Sequence, residues 1–121
     1  MNVNNSKITA GIHLPQAGPA ASSDAITKVA ELAEQLGFQD VWVSDHLIIP
    51  SDAKYPPSAY IYEPLAVMAW VAAKTSSIKI GTTVLVLPMR NPIVVAKSLA
   101  SIDLLSGGRV ILGTAAGWLK A

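Results

Sequence analysis

Apolar positions along the chain alternate between two periods: short β-branched runs, and longer stretches whose apolar residues recur every three or four positions. Residues 8–14 (ITAGIHL) predict a first strand, closed by Pro15 and a loop containing Gly18 and Pro19. Ser22 or Ser23 is placed to cap a helix in which Ile26, Val29, Ala30, Leu32, Ala33 and Leu36 share helical spacing, and Gly37 is placed to end it in a left-handed turn. Residues 40–44 (DVWVS) predict a second strand. The connection 47–62 carries Pro50, Pro56 and Pro57 with Tyr55, Tyr60 and Tyr62; a loop this long in an α/β unit is either a lid or an insert. A second helix starts at Glu63 or Pro64 and runs to Lys74. Residues 78–87 (IKIGTTVLVL) predict a third strand broken at Gly81, and residues 92–105 a third helix with Val95, Leu99, Ile102 and Leu105 on one side. Ser106, Gly107 and Gly108 stop that helix, and residues 110–113 (VILG) predict a fourth strand.

The order β-α-β-α-β-α-β predicts a single α/β domain over 1–121, built on a parallel sheet with right-handed crossovers. Four such strands fit either an open sheet or half of a barrel. Composition adds a constraint. With 51% hydrophobic and only 14% charged residues, the chain falls well below the roughly 25% charge of an ordinary soluble domain. The excess apolar surface is expected either inside a sheet wrapped by helices or against a partner.

A net charge of +1 without a basic stripe argues against a nucleic-acid partner. The absence of cysteine removes disulfides, thiolate metal sites and cysteine nucleophiles, and fits a cytoplasmic protein. The polar start 1–7 gives no sign of a signal peptide. The longest apolar run, 65–73, falls far short of the ~20 residues a membrane span needs, so no membrane partner is expected and the run reads as a buried helix.

Candidate chemistry concentrates at 41–46, VWVSDH. An apolar run that ends abruptly in Ser44, Asp45 and His46 places a carboxylate and an imidazole at the carboxyl end of a strand, where parallel α/β folds bind their ligands. His46 is the candidate acid–base group, because an imidazole titrates near neutral pH; the bland alternative is a loop histidine bonded to backbone. Asp45 either bonds a ligand, orients the imidazole or caps the following turn. His13 reads as a satisfied core histidine or as a second group at the barrel mouth. Arg90 reads as a solvated arginine, with an anionic ligand group as the alternative. The spacing of Gly113 and Gly117 does not make a dinucleotide fingerprint.

GIHLP at 11–15, LGFQDVWVSDHLIIP at 36–50, IGTTVLVLPMRNP at 80–92, SIDLLSGGRV at 101–110 and LGTAAGWLK at 112–120, taken in this order, resemble the luciferase-like monooxygenase superfamily. The resemblance is closest to its deazaflavin (coenzyme F420)-dependent branch. It implies a (β/α)8 barrel, of which this chain supplies the N-terminal half, and an oxidoreductase passing hydride to or from a small organic substrate, or, with FMN, a monooxygenase. It further implies that His46 lies beside the reactive edge of the ring, that Asp45, Gly113 and Ala115 adjoin the cofactor, and that a bulge at Thr83 and Val84, with a non-prolyl cis peptide, supports the ring from behind. Relatives usually carry glycine where Ala115 stands. Trp118 is either a wall of the site or a packing residue, and no metal is expected. In relatives the second and third helices build a dimer interface, so a homo-oligomer is expected. The alternative is a half-barrel without catalysis that self-associates through its open strand edges.

Overall fold

The computed structural model describes residues 8–52, 54 and 60–117. Tyr55 and Trp118 therefore lie outside the described residues. Four parallel strands, β1 (Gly11–His13), β2 (Asp40–Val43), β3 (Lys79–Thr82) and β5 (Val110–Ile111), form one sheet in the order β1-β2-β3-β5. A two-stranded parallel continuation pairs β4 (Leu85–Val86) with β6 (Thr114–Ala115). Helices α1 (Ser23–Gln35), α2 (Pro64–Lys74) and α3 (Pro92–Ser106) alternate with the strands, as the pattern predicts. No helix among the described residues is long and apolar enough to cross a membrane.

Helix starts follow local chemistry. Ser22 Oγ accepts from the N–H of Ala25, Glu63 Oε2 from that of Ala66, and Asn91 Oδ1 from those of Ile93 and Val94. Pro64 and Pro92 open their helices where no N–H is needed. Gly107, with φ of 75°, ends α3 in a left-handed turn that a side chain would strain.

Strand alternation divides the sheet into two faces. Ile12, Val41, Val43, Ile80 and Val110 point toward the helices and pack with Ile26, Ala30, Met68, Val71, Leu99 and Ile102 in one core. The opposite face carries Gly11, His13, Asp40, Trp42, Gly81 and Ile111. Trp42 lies across this face, its indole N–H bonded to Asp40. A Cβ on Gly81 would stand 2.5 Å from the indole ring, and one on Gly11 would stand 2.5 Å from its nitrogen. Glycine on both neighbouring strands is what lets the ring lie flat.

Several expectations are corrected. The first strand spans Gly11–His13 rather than 8–14. Leu32 and Leu36 are exposed because Ile26, Ala30 and Ala33 already fill the buried stripe of α1, to whose side these leucines lie. Leu105 is 86% exposed, and Ser106 continues the buried series Val95, Leu99, Ile102 in its place.

The third strand breaks at Thr83 and Val84, whereas Gly81 stays in the ladder, paired with Trp42 and Ile111. The fourth strand breaks at the same level. Thr82, fully buried, donates through its hydroxyl to the carbonyl of Gly113 and accepts from the Gly113 N–H. That side chain replaces a ladder step, and both strands jog together before resuming as β4 and β6.

Two polar side chains tie the amino-terminal rim. Glu34 accepts from the N–H groups of Ser76, Ser77 and Ile78 and from the Ser77 hydroxyl. Burial pushes its carboxyl up, but these donors outweigh that and hold its pKa at about 2. Arg109, buried with no carboxylate partner among the described residues, donates to Ser106 O, Thr75 Oγ1, Ile78 O, Ala72 O and Thr75 O. These five bonds use the full donor capacity of a guanidinium.

Candidate functional site

Because the sheet is parallel, the carboxyl ends of β1, β2 and β3 share one rim, and residues 44–46 stand on it. Ser44 is gripped through its backbone by Gln16, which is fully buried. The Gln16 carboxamide accepts from Ser44 N–H at 2.7 Å and donates to Ser44 O at 2.9 Å, imitating one more rung of a β-ladder. The same amide donates to Tyr62 O at 3.1 Å, and Tyr62 N–H donates back to Gln16 O. With the bridge between Ala17 and Ile61, this fixes the exposed Tyr60 and Tyr62 pair beside the first strand's tip.

Asp45 is buried, 2% exposed. Its Oδ1 accepts from Arg90 Nη2 at 2.8 Å, and its Oδ2 from Arg90 Nε at 3.0 Å and Val86 N–H at 2.9 Å. The third guanidinium nitrogen, Nη1, donates to Glu63 Oε1 at 2.7 Å. Burial alone would lower the pKa of Arg90, but its bonds to Asp45 and Glu63 more than offset that and raise it above the ordinary value. The expected solvated arginine is thus corrected. In so apolar a chain, the guanidinium is drawn in to the buried Asp45 carboxylate, with the exposed Glu63 taking its third nitrogen, rather than left in water.

His46 follows directly. Both its ring nitrogens are buried and neither bonds any described residue. Two buried, unengaged ring nitrogens on a half-buried imidazole are costly unless a ligand or a proton-transfer role uses them. Among the described residues it is the polar side chain at this rim best suited to bind or to move a proton.

The other expected site residues fall around the same tips. Thr83 is exposed, with its N–H and its hydroxyl both directed to Val43 O. Val84 is half-buried beside it. Gly113 packs against the third strand: a Cβ there would stand 2.3 Å from the Thr82 carbonyl oxygen. Ala115 pairs with Val86, whose N–H Asp45 holds. Asp45, Thr83, Gly113 and Ala115 therefore belong to one hydrogen-bonded patch.

His13 is exposed on the open face rather than buried, at the edge strand β1; its Nδ1 lies 3.0 Å from Leu14 O. Sequence reasoning missed Gln16 and the Arg90–Glu63 contact. The one available signal was a lone arginine within the apolar loop LPMRNP.

Two concavities lie on the helical side. One of about 200 Å³ sits between α1 and α2 against Ile26 and Trp70, and one of about 600 Å³ between α2 and α3 against Ala69, Val94 and Leu105. His46 lines neither.

Comparison with known proteins agrees with this geometry. Residues 6–121 match the family model described as luciferase-like monooxygenase. An F420-dependent glucose-6-phosphate dehydrogenase of Kineococcus radiotolerans is 41% identical over 87 residues, 70% of this chain and 24% of that protein. The coenzyme F420-dependent tetrahydromethanopterin reductase of Methanopyrus kandleri superposes with a TM-score of 0.69 at 29% identity, over 88% of this chain and 26% of that one. The FMN complex of the oxygenating constituent of 3,6-diketocamphane monooxygenase from Pseudomonas putida gives a TM-score of 0.75 at 25% identity, over 93% and 30% respectively. The chain thus spans roughly a quarter to a third of the length of these relatives, as a partial barrel. With the strand order, the helical layer and the matched residues in agreement, the chain belongs to the luciferase-like monooxygenase family.

Proposed function

We propose that this chain carries the acid–base rim of a deazaflavin-dependent oxidoreductase acting on a small organic substrate, with His46 as the group that holds or takes the proton. The observation that carries this reading is the pair of buried, unengaged His46 ring nitrogens, beside an Asp45 carboxylate and a Ser44 backbone that are already paired. A bound deazaflavin supplies hydride transfer. The chain's own part is to present His46 at the tip of β2, to keep the preceding residues rigid through Gln16 and Arg90, and to exclude water from the imidazole. Similarity to F420-dependent proteins at 41% and 29% identity supports the deazaflavin. Similarity to an FMN-bound monooxygenase keeps FMN as the second reading.

Titration of the protein with coenzyme F420 and with FMN, followed by fluorescence, tests this. Saturable binding of one cofactor, weakened at least tenfold in His46→Ala, is expected. Absence of binding at millimolar concentration of either would instead favour a non-catalytic, self-associating partial barrel.

A homo-oligomer forms the other part of this reading. Val94 and Leu105 are 59% and 86% exposed around the α2–α3 groove, and a second copy of the chain would cover them.

A further inference from the structure

We propose that Asp45 and Arg90 act as one positioning unit for His46, holding the tip of β2 against β4 and the start of α2, rather than Asp45 meeting a ligand directly. The inference rests on the reading of His46 given above and goes beyond it by assigning how that imidazole is kept in place. Both Asp45 oxygens are spent inside the protein, on Arg90 Nη2, on Arg90 Nε and on Val86 N–H. Arg90 in turn reaches Glu63, whose other oxygen caps α2 through Ala66 N–H. One guanidinium therefore joins three elements that are distant in sequence. On the other side of the tip Gln16 clamps Ser44. The two residues before His46 are thus fixed, one by its backbone and one by its side chain, while the imidazole itself bonds nothing described. A planar bidentate fork gives this unit its geometry, and lysine, a point charge on a flexible stem, cannot reproduce it.

The chain has two histidines, so protein labelled with ¹³C at histidine Cε1 gives two signals, and His13 on the edge strand serves as an internal control. In Arg90→Lys the His46 signal is expected to shift or broaden and the Val86 amide to exchange at least tenfold faster, with His13 unchanged. Asp45→Asn is expected to give the same signature, and the double variant no more than either single one. An unchanged His46 signal in Arg90→Lys would overturn the proposal, as would effects that add in the double variant, since Asp45 would then act independently of Arg90.

Should Arg90→Lys fail to fold, Glu63→Gln loosens the outer end of the same unit. A His46 shift without a His13 shift supports the proposal there, and no shift overturns it. Titrating the same samples with F420 and FMN separates the two readings. A His46 response to these variants without cofactor binding upholds the positioning unit and fails the cofactor reading; binding without that response does the reverse.

Discussion

Gly113 marks where single atoms decide the local path of the chain. A methyl at that position would stand 2.3 Å from the Thr82 carbonyl, a backbone atom that cannot swing away. Gly113→Ala is therefore expected to destabilise the protein by about 1–3 kcal/mol, the usual cost of overpacking, read as a lower urea midpoint. Arg109 makes the complementary case. Its five donors satisfy four carbonyls and a hydroxyl, all buried but for the half-buried Ala72 carbonyl. Lysine offers three donors, so Arg109→Lys leaves at least two acceptors unpaired, at about 1–3 kcal/mol each. A fall in thermal midpoint larger than that of Gly113→Ala is the expected result. Neither role was legible beforehand: a glycine after VIL reads as the end of a strand, and an arginine after two glycines reads as a surface charge.

At the scale of elements, α1 is tied to the segment entering β3 by the Glu34 carboxylate. With its pKa lowered from 4.5 to about 2, folding favours the ionised form, so this contribution is present above pH 4.5 and is lost as pH falls through about 2. Thermal midpoints followed between pH 6 and pH 2 should fall less steeply in Glu34→Gln than in the parent.

The α3 stripe gives a second contrast. Ile102 is buried and Leu105 is 86% exposed. Ile102→Ala is expected to cost about 2–5 kcal/mol, and Leu105→Gln to leave the stability of the monomer within about 0.5 kcal/mol. Helical spacing alone accommodates both residues. Which one faces inward depends on how α3 packs against β5 and α2, where Val95, Leu99, Ile102 and Ser106 are the buried side.

Across the whole molecule, the helical layer and the open sheet face ask for different cover. The α2–α3 groove exposes apolar side chains on the outside. Size measurements over a concentration series are expected to show association that Leu105→Glu weakens, since a charge there would be desolvated in the contact. The open face is already partly closed by Trp42, held flat by Asp40 and by the two glycines under its ring. The carboxyl rim gathers His46 with the Asp45–Arg90–Glu63 unit, and the amino rim carries the Glu34 and Arg109 ties. The proposed acid–base group and the amino-rim ties thus stand at opposite ends of the sheet, the arrangement that (β/α)8 barrels use.

Hydrophobic period and capping residues by themselves determined the order of strands and helices, the parallel sheet and the place of Ser44, Asp45 and His46 at a strand's end. Those signals are local, written within a turn or two of the residues they govern. Only the tertiary structure decided that Asp45 and Arg90 pair, that Gln16 grips Ser44, and that strands three and four jog together at Thr82 and Gly113. Each of these joins residues about thirty or more positions apart. A polar side chain in so apolar a chain must find a partner, but the sequence does not say how the sheet will bring one within reach.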